Sequence, residues 1–226
     1  NNPVDINGVK EAGSSLKKVV SKNDPQQLGL VNWGTTILVE YMNKFHILPV
    51  NNYQYGQHED AELTFASVYF DRYFEKKVPD GCYIGCNLAC AKGAENVTLT
   101  IGPYKGRKAG IDAPEYESIG AVTCMGIFDP QYIMEYSYYC DEYGLDTISA
   151  GVTMAFLMEC VQRGFLSADD IGYDLQWGDA AAADRLLFEI ATGTGFGKIT
   201  GQGVLRAGKW IAENYAKKNK NNQEGS

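Results

Sequence analysis

Three thiols fall inside nine residues: Cys82-Tyr-Ile-Gly-Cys86-Asn-Leu-Ala-Cys90. Thiolates at short fixed spacing hold iron–sulfur clusters, and three of them can wrap one face of a cubane. In a straight helix the outer pair would stand about 12 Å apart along the axis, too far to share a cluster. A cluster therefore requires the segment to curl, which Gly85 permits. The alternative is a row of small buried apolar side chains, because four-residue spacing also keeps one helix face. Structural zinc favours closely paired cysteines, and neither His46 nor His58 is spaced to join the trio. Cys124, Cys140 and Cys160 sit in apolar or helix-forming contexts and read as structural.

Three further segments carry chemistry-capable residues. Pro114-Glu115-Tyr116-Glu117 precedes a run of small and apolar residues. A carboxylate there can have a raised pKa and act as general acid or base; the same pattern also suits a helix start, with acids against the dipole. In Asp141-Glu-Tyr-Gly144-Leu145-Asp146-Thr147 the glycine ends one helix and Asp146 or Thr147 caps the next. A helix start with open N–H groups also suits a polar heterocycle or phosphate. Gly193-Thr-Gly195-Phe-Gly197-Lys198 lacks the spacing, the following hydroxyl residue and the preceding strand of a phosphate loop, and reads as a helix end and turn.

The elements that must position these residues are mostly helical. Apolar periodicity predicts helices over residues 5–22, 34–43, 60–77, 130–143, 147–163, 179–192 and 204–217. Asn23-Asp24-Pro25 ends the first of these, and Ser167 to Asp170 starts a short helical turn. Residues 96–101 alternate as one short strand, residues 102–113 read as a loop, and residues 218–226 as a frayed tail. The expected fold is mainly α: an irregular multi-helix body with at most a short strand pair. A lead-in helix over 1–24 precedes a helical body over 25–217.

The chain has 226 residues, 45% of them hydrophobic, enough for a packed core. Its net charge of −8 argues against a nucleic-acid backbone partner. No apolar run reaches bilayer length, and the polar first ten residues lack a signal-peptide pattern. A cytoplasmic protein is the expectation.

Taken in order, these segments resemble the aldehyde ferredoxin oxidoreductase family. The matching stretches are Trp33-Gly-Thr-Thr, Leu48-Pro-Val-Asn-Asn-Tyr-Gln, the cysteine trio, Pro-Glu-Tyr-Glu-Ser, Cys-Asp-Glu-Tyr-Gly-Leu-Asp-Thr-Ile-Ser and Gly195-Phe-Gly, from about Gln27 to Tyr215. The resemblance implies a tungsten or molybdenum bis-pterin with a nearby [4Fe–4S] cluster, oxidising aldehydes to acids with ferredoxin or another redox subunit as electron acceptor. It implies Cys82, Cys86 and Cys90 as cluster ligands. Asp141, Gly144, Leu145, Asp146 and Thr147 become the pterin-contacting motif, and Glu117 the acid near the metal.

The sequence departs from the family pattern in places. The family places two residues, then three, between its cysteines; here both gaps hold three. The metal-bridging Glu-x-x-His of dimeric members is Glu135-x-x-Tyr138. The wider spacing and the Gly102-Pro-Tyr-Lys-Gly-Arg insertion look more like the catalytic subunit of class II benzoyl-CoA reductases, which dearomatise an aryl thioester. A β-rich pterin domain, a fourth cluster ligand and an active-site histidine are expected on other domains of the parent chain. The chain alone is expected to be inactive, with both cofactors incomplete or absent, and it could form a homo-oligomer. Two other classes remain open: a helical scaffold with structural cysteines, and a small electron-transfer protein using the cluster alone.

Overall fold

Helix α6, Pro130–Tyr143, and helix α7, Thr147–Gln162, form the centre of the molecule and meet at a bend of 113°. The structure is a computed structural model that describes residues 5–23, 27–74, 86, 89–112 and 114–224. Local chemistry sets these helices. Asp129 caps α6 by accepting from Gln131 N at 2.9 Å, with Pro130 in the first turn. Gly144 ends it at φ 67°, ψ 35°, where a side chain would be strained. Asp146 then caps α7 by accepting from Ser149 N at 2.7 Å.

The buried face of α7 is long: Ala150, Gly151, Met154, Ala155, Leu157 and Met158 are all inside. Helix α5, Tyr116–Thr123, crosses it and buries Ser118 through Thr123. Helix α9, Ala180–Thr192, capped by Asp179, adds Leu186 and Leu187 to the same core. The earlier helices are α1, Ile6–Asn23; α2, Gln27–Trp33; α3, Leu38–Lys44; and α4, Ala66–Arg72. The later ones are α8, Ala168–Ile171; α10, Gly197–Thr200; and α11, Val204–Glu224. A capping box between Ser167 and Asp170 starts α8, as expected of that sequence.

The mainly helical class and the short strand pair agree with the sequence, while several boundaries differ. Strand β1, Ala94–Thr98, starts earlier than predicted and pairs antiparallel with β2, Lys108–Ile111, inside the segment read as a loop. A register shift between Ala94 and Val97, with Asn96 at φ 59°, bulges the pair and breaks the simple alternation. The helix predicted over 60–77 is interrupted: a 3-10 helix, Glu59–Thr64, gives way at extended Phe65 (ψ 156°) before α4. The Thr64 hydroxyl donates to Ala61 O, which closes that turn locally. Residues 75–77 of that prediction, and the Asp24-Pro25 stop, lie outside the described residues. In α1, Leu16 and Val19 are exposed. Tyr41 in α3 is exposed too. The tail read as frayed continues α11 to Glu224.

Glu135 explains how the strand pair is held. Its carboxylate is fully buried and accepts from Thr100 N, Thr100 Oγ1, Ile101 N and Gln131 Nε2 at 2.6–3.0 Å. Tyr139 adds a second tie: its hydroxyl donates to Ile101 O at 2.8 Å and accepts from Tyr104 N. The inserted 102–107 segment is thus the loop of a hairpin pinned to α6. With its oxygens engaged inside the fold, Glu135 does not present a surface metal ligand.

Candidate functional site

Cys86 and Cys90 are both half-buried and free, and neither residue is helical. Ala89, immediately before Cys90, takes φ 43°. A left-handed residue there departs from helical geometry. Cys82 and Gly85 lie outside the described residues, and among the described ones no three His, Cys, Asp or Glu side chains converge on one metal position. Burial pushes the Cys90 thiol up, and the neighbouring Glu115 carboxylate adds to this.

A cation lies beneath this loop. Lys92 is 7% exposed, and its ammonium donates to Ala89 O at 2.7 Å and Ala91 O at 3.1 Å. Gly34 fits close against the same segment: a Cβ there would fall 2.6 Å from Cys90 O. The next residue, Thr35, starts a 3-10 turn, Thr35–Ile37, and its Oγ1 accepts from Tyr116 N at 2.9 Å. The Trp33-Gly-Thr-Thr stretch therefore joins the cysteine loop to the start of α5.

The acids lie at that start. Glu117 is exposed in the first turn of α5. Glu115, half-buried just before it, has its carboxyl pushed up by burial and by the negative charges of Glu117 and Asp112; the Thr35 hydroxyl and Lys92 pull the other way. Of the two carboxylates in this segment, Glu115 is half-buried and Glu117 exposed. Helix-start patterning alone does not distinguish them, because burial is set by Gly34 and Thr35 from another element.

The Asp141–Thr147 corner is open. Asp141, Gly144 and Asp146 are exposed, Leu145 and Thr147 half-buried, and nothing approaches within 4 Å of where a Gly144 Cβ would sit. Leu145 N donates to Cys140 O at 2.8 Å and Gly144 N to Asp141 O at 3.1 Å, which closes α6. Tyr136 braces the corner from inside by donating to Thr147 O at 2.5 Å. Burial pushes the Asp141 carboxyl up, whereas hydrogen bonds from Ser149 hold Asp146 low.

Cys loop and corner are linked through the α5–α7 crossing. Gly151, four residues into α7 from Thr147, meets Ala121, four residues beyond Glu117. Glu117 and Thr147 each stand about 6 Å along their own helix from that crossing. The chemistry-bearing ends of both helices therefore flank one contact.

Other features are structural. Cys124, Cys140 and Cys160 are buried, and burial pushes their thiols up to about 11, 12 and 11. The 193–197 segment folds back on α9, where Phe196 N donates to Glu189 Oε2 at 3.1 Å, so it holds a carboxylate rather than a phosphate. His58 stacks on Phe128 and accepts from Asp60 N. A groove of about 860 Å³ between the Glu59–Thr64 turn, α4 and the start of α6 is lined by none of the predicted site residues.

The family model for aldehyde ferredoxin oxidoreductase, domains 2 and 3, matches residues 11–224. The chain belongs to the aldehyde ferredoxin oxidoreductase family. Among relatives, an aliphatic sulfonate oxidoreductase WOR-like subunit of Pyrococcus furiosus is 37% identical over 73% of this chain and 25% of its own length. A tungsten-containing aldehyde ferredoxin oxidoreductase of the same organism is 33% identical over 86% of this chain and 30% of its own. The Thermococcus kodakarensis enzyme of that name is 34% identical over 82% and 29%. The chain thus spans under a third of these relatives. A solved active-site complex BamBC of benzoyl coenzyme A reductase, with 1,5-dienoyl-CoA bound, shares the fold at TM-score 0.52 and 20% identity, over 85% of this chain and 32% of that one. No single helix among the described residues is long and apolar enough to cross a membrane.

Proposed function

We propose that this chain is the part of a tungsten-pterin aldehyde oxidoreductase that supplies three ligands of a [4Fe–4S] cluster and one wall of the pterin site. The observation that carries the reading is the linkage of the Cys90 backbone, through Gly34 and Thr35, to the acidic start of α5.

The donor chemistry fits a cluster. Cys86 and Cys90 are half-buried free thiols, and Cys82 completes the set by spacing. The buried Lys92 ammonium beneath the loop offsets the negative charge of thiolates and cluster. When bound, the tungsten-pterin supplies the two-electron redox chemistry and the cluster passes electrons on, to ferredoxin or another redox subunit. The choice of tungsten rather than molybdenum rests on the tungsten-containing relatives.

This chain's residues have simpler tasks. Asp141, Gly144, Leu145, Asp146 and Thr147 form an open corner with polar groups for a pterin edge. Oxidation of an aldehyde with water releases two protons along with two electrons, and in this reading Glu117, exposed in the first turn of α5, accepts one of the protons. Glu115 supports it from a less polar position. Benzoyl-thioester reduction draws on fold alone, whereas the aldehyde enzymes match at 33–34% identity. The remaining domains come from the parent protein, which we place in the cytoplasm. Without them the chain binds an incomplete cofactor set and is inactive.

The test is aldehyde-dependent dye reduction by the complete enzyme. Glu117→Gln should lose at least about 100-fold in kcat with tungsten and iron retained. A fully active Glu117→Gln enzyme, or a parent enzyme that reduces no dye with any aldehyde, overturns the proposal.

A further inference from the structure

The Leu48-Pro-Val-Asn-Asn-Tyr-Gln stretch has no task in the function above, yet it is the most strained segment described. Asn51, Asn52 and Tyr53 take φ 48°, 52° and 62° in succession. Each non-glycine residue held there costs roughly 1–3 kcal/mol and persists only where the surroundings fix it.

The surroundings do fix it. Val50 and Tyr55 exchange backbone hydrogen bonds, Asn52 N donates to Cys124 O at 2.8 Å, and Asn52 Nδ2 donates to Glu159 Oε2 at 2.5 Å. Gln54 Nε2 reaches Gln162 Oε1 at 2.8 Å, and the Thr123 hydroxyl donates to Pro49 O at 2.9 Å. The turn is thereby tied to the end of α5 and to α7, both core elements.

What the turn presents is Tyr53, 64% exposed. It does so beside the acidic start of α5. A Cβ on Gly120 would lie 3.5 Å from Pro49 Cγ and 3.9 Å from Tyr116 Cζ, so the base of the turn and the Tyr116 ring meet over that glycine. Burial pushes the Tyr116 hydroxyl up, with Glu117 and then Tyr53 as further causes. Burial, then Cys124, does the same for Tyr53. Both phenols keep their protons at neutral pH and can donate to a carbonyl oxygen.

We propose that Tyr53 is a substrate-contacting, specificity-determining residue, held by the strained turn as one wall of the approach to Glu117. The inference rests on the aldehyde oxidoreductase reading. The ring limits the bulk next to the carbonyl, and the hydroxyl orients it.

The experiment compares the complete enzyme with its Tyr53→Phe and Tyr53→Ala variants on aldehydes from acetaldehyde to substituted benzaldehydes. For Tyr53→Ala, KM should shift by about tenfold, unequally across the series, while kcat stays within about threefold. Tyr53→Phe should keep the size ranking and lose affinity uniformly. Tungsten and iron contents should be unchanged in both. An unchanged or uniformly scaled profile for Tyr53→Ala overturns the inference, as does loss of metal, which would make Tyr53 a packing residue. These outcomes leave the function standing as long as Glu117→Gln abolishes turnover; a parent enzyme that oxidises no aldehyde removes both.

Discussion

Gly151 and Ala121 touch where α7 crosses α5: a Cβ on the glycine would fall 2.6 Å from the Ala121 Cβ and 2.9 Å from its carbonyl oxygen. No ordinary Cβ contact is so short, so the crossing exists in this form only with glycine. It sets the separation of Glu117 from Thr147. Gly151→Ala gains helix propensity of up to about 1 kcal/mol but overpacks two buried backbones at about 1–3 kcal/mol. A net loss of about 1–2 kcal/mol is expected in urea denaturation of the purified chain; an unchanged midpoint would contradict the packing account.

Glu135 should be a major stability determinant. Glu135→Ala leaves the Thr100 and Ile101 amides without their acceptor in a buried site, at about 2–4 kcal/mol. Glu135→Gln keeps one acceptor oxygen and should cost less. Hydrogen exchange at Thr100 and Ile101 should accelerate in the alanine variant well before the α7 amides change.

Asp184 provides the pH dependence. Burial, then the Glu135 charge, raises its carboxyl from 3.8 to about 6. The folded state therefore binds the proton more tightly than the unfolded one. Its stabilising effect is fully present below about pH 4 and is lost as pH rises through about 6. Asp184→Asn should gain about 1–2 kcal/mol over the parent at pH 7, after discounting for partial exposure, and nothing at pH 4. Denaturant titrations at both values check the difference.

At the open corner the cost of substitution is backbone strain alone. Gly144 takes φ 67° with no neighbour near its Cβ position. Gly144→Ala should lose about 1 kcal/mol, and Asp146→Ala, which removes the α7 cap, about the same. Neither should alter the packing of Met154 or Leu157, which one-dimensional methyl NMR would report.

Much of this was legible in the sequence because capping is local. Gly144, Asp146 and Ser167 each name a helix boundary, and each is found at one. The 60–77 helix and the 102–113 loop failed for the opposite reason. Extended Phe65 packs against the core, and the hairpin carrying β2 is held from elsewhere: Glu135 grips Thr100 across 35 positions. The cysteine spacing, the acidic pair and the Asp141–Thr147 corner could be named one by one. Their linkage through Thr35, Gly34 and Gly151 depends on how the helices cross. The same holds for Tyr53, whose turn is shaped by Glu159 and Cys124.

The central claim is that the cysteine loop grips iron. Anaerobic iron and sulfide analysis of the complete enzyme, with Cys86→Ser, Cys90→Ser and Cys124→Ser variants, tests it most directly. The account predicts about four iron and four sulfide attributable to this cluster per chain, lost in the first two variants and retained in the third. Unchanged iron in Cys86→Ser and Cys90→Ser would contradict it.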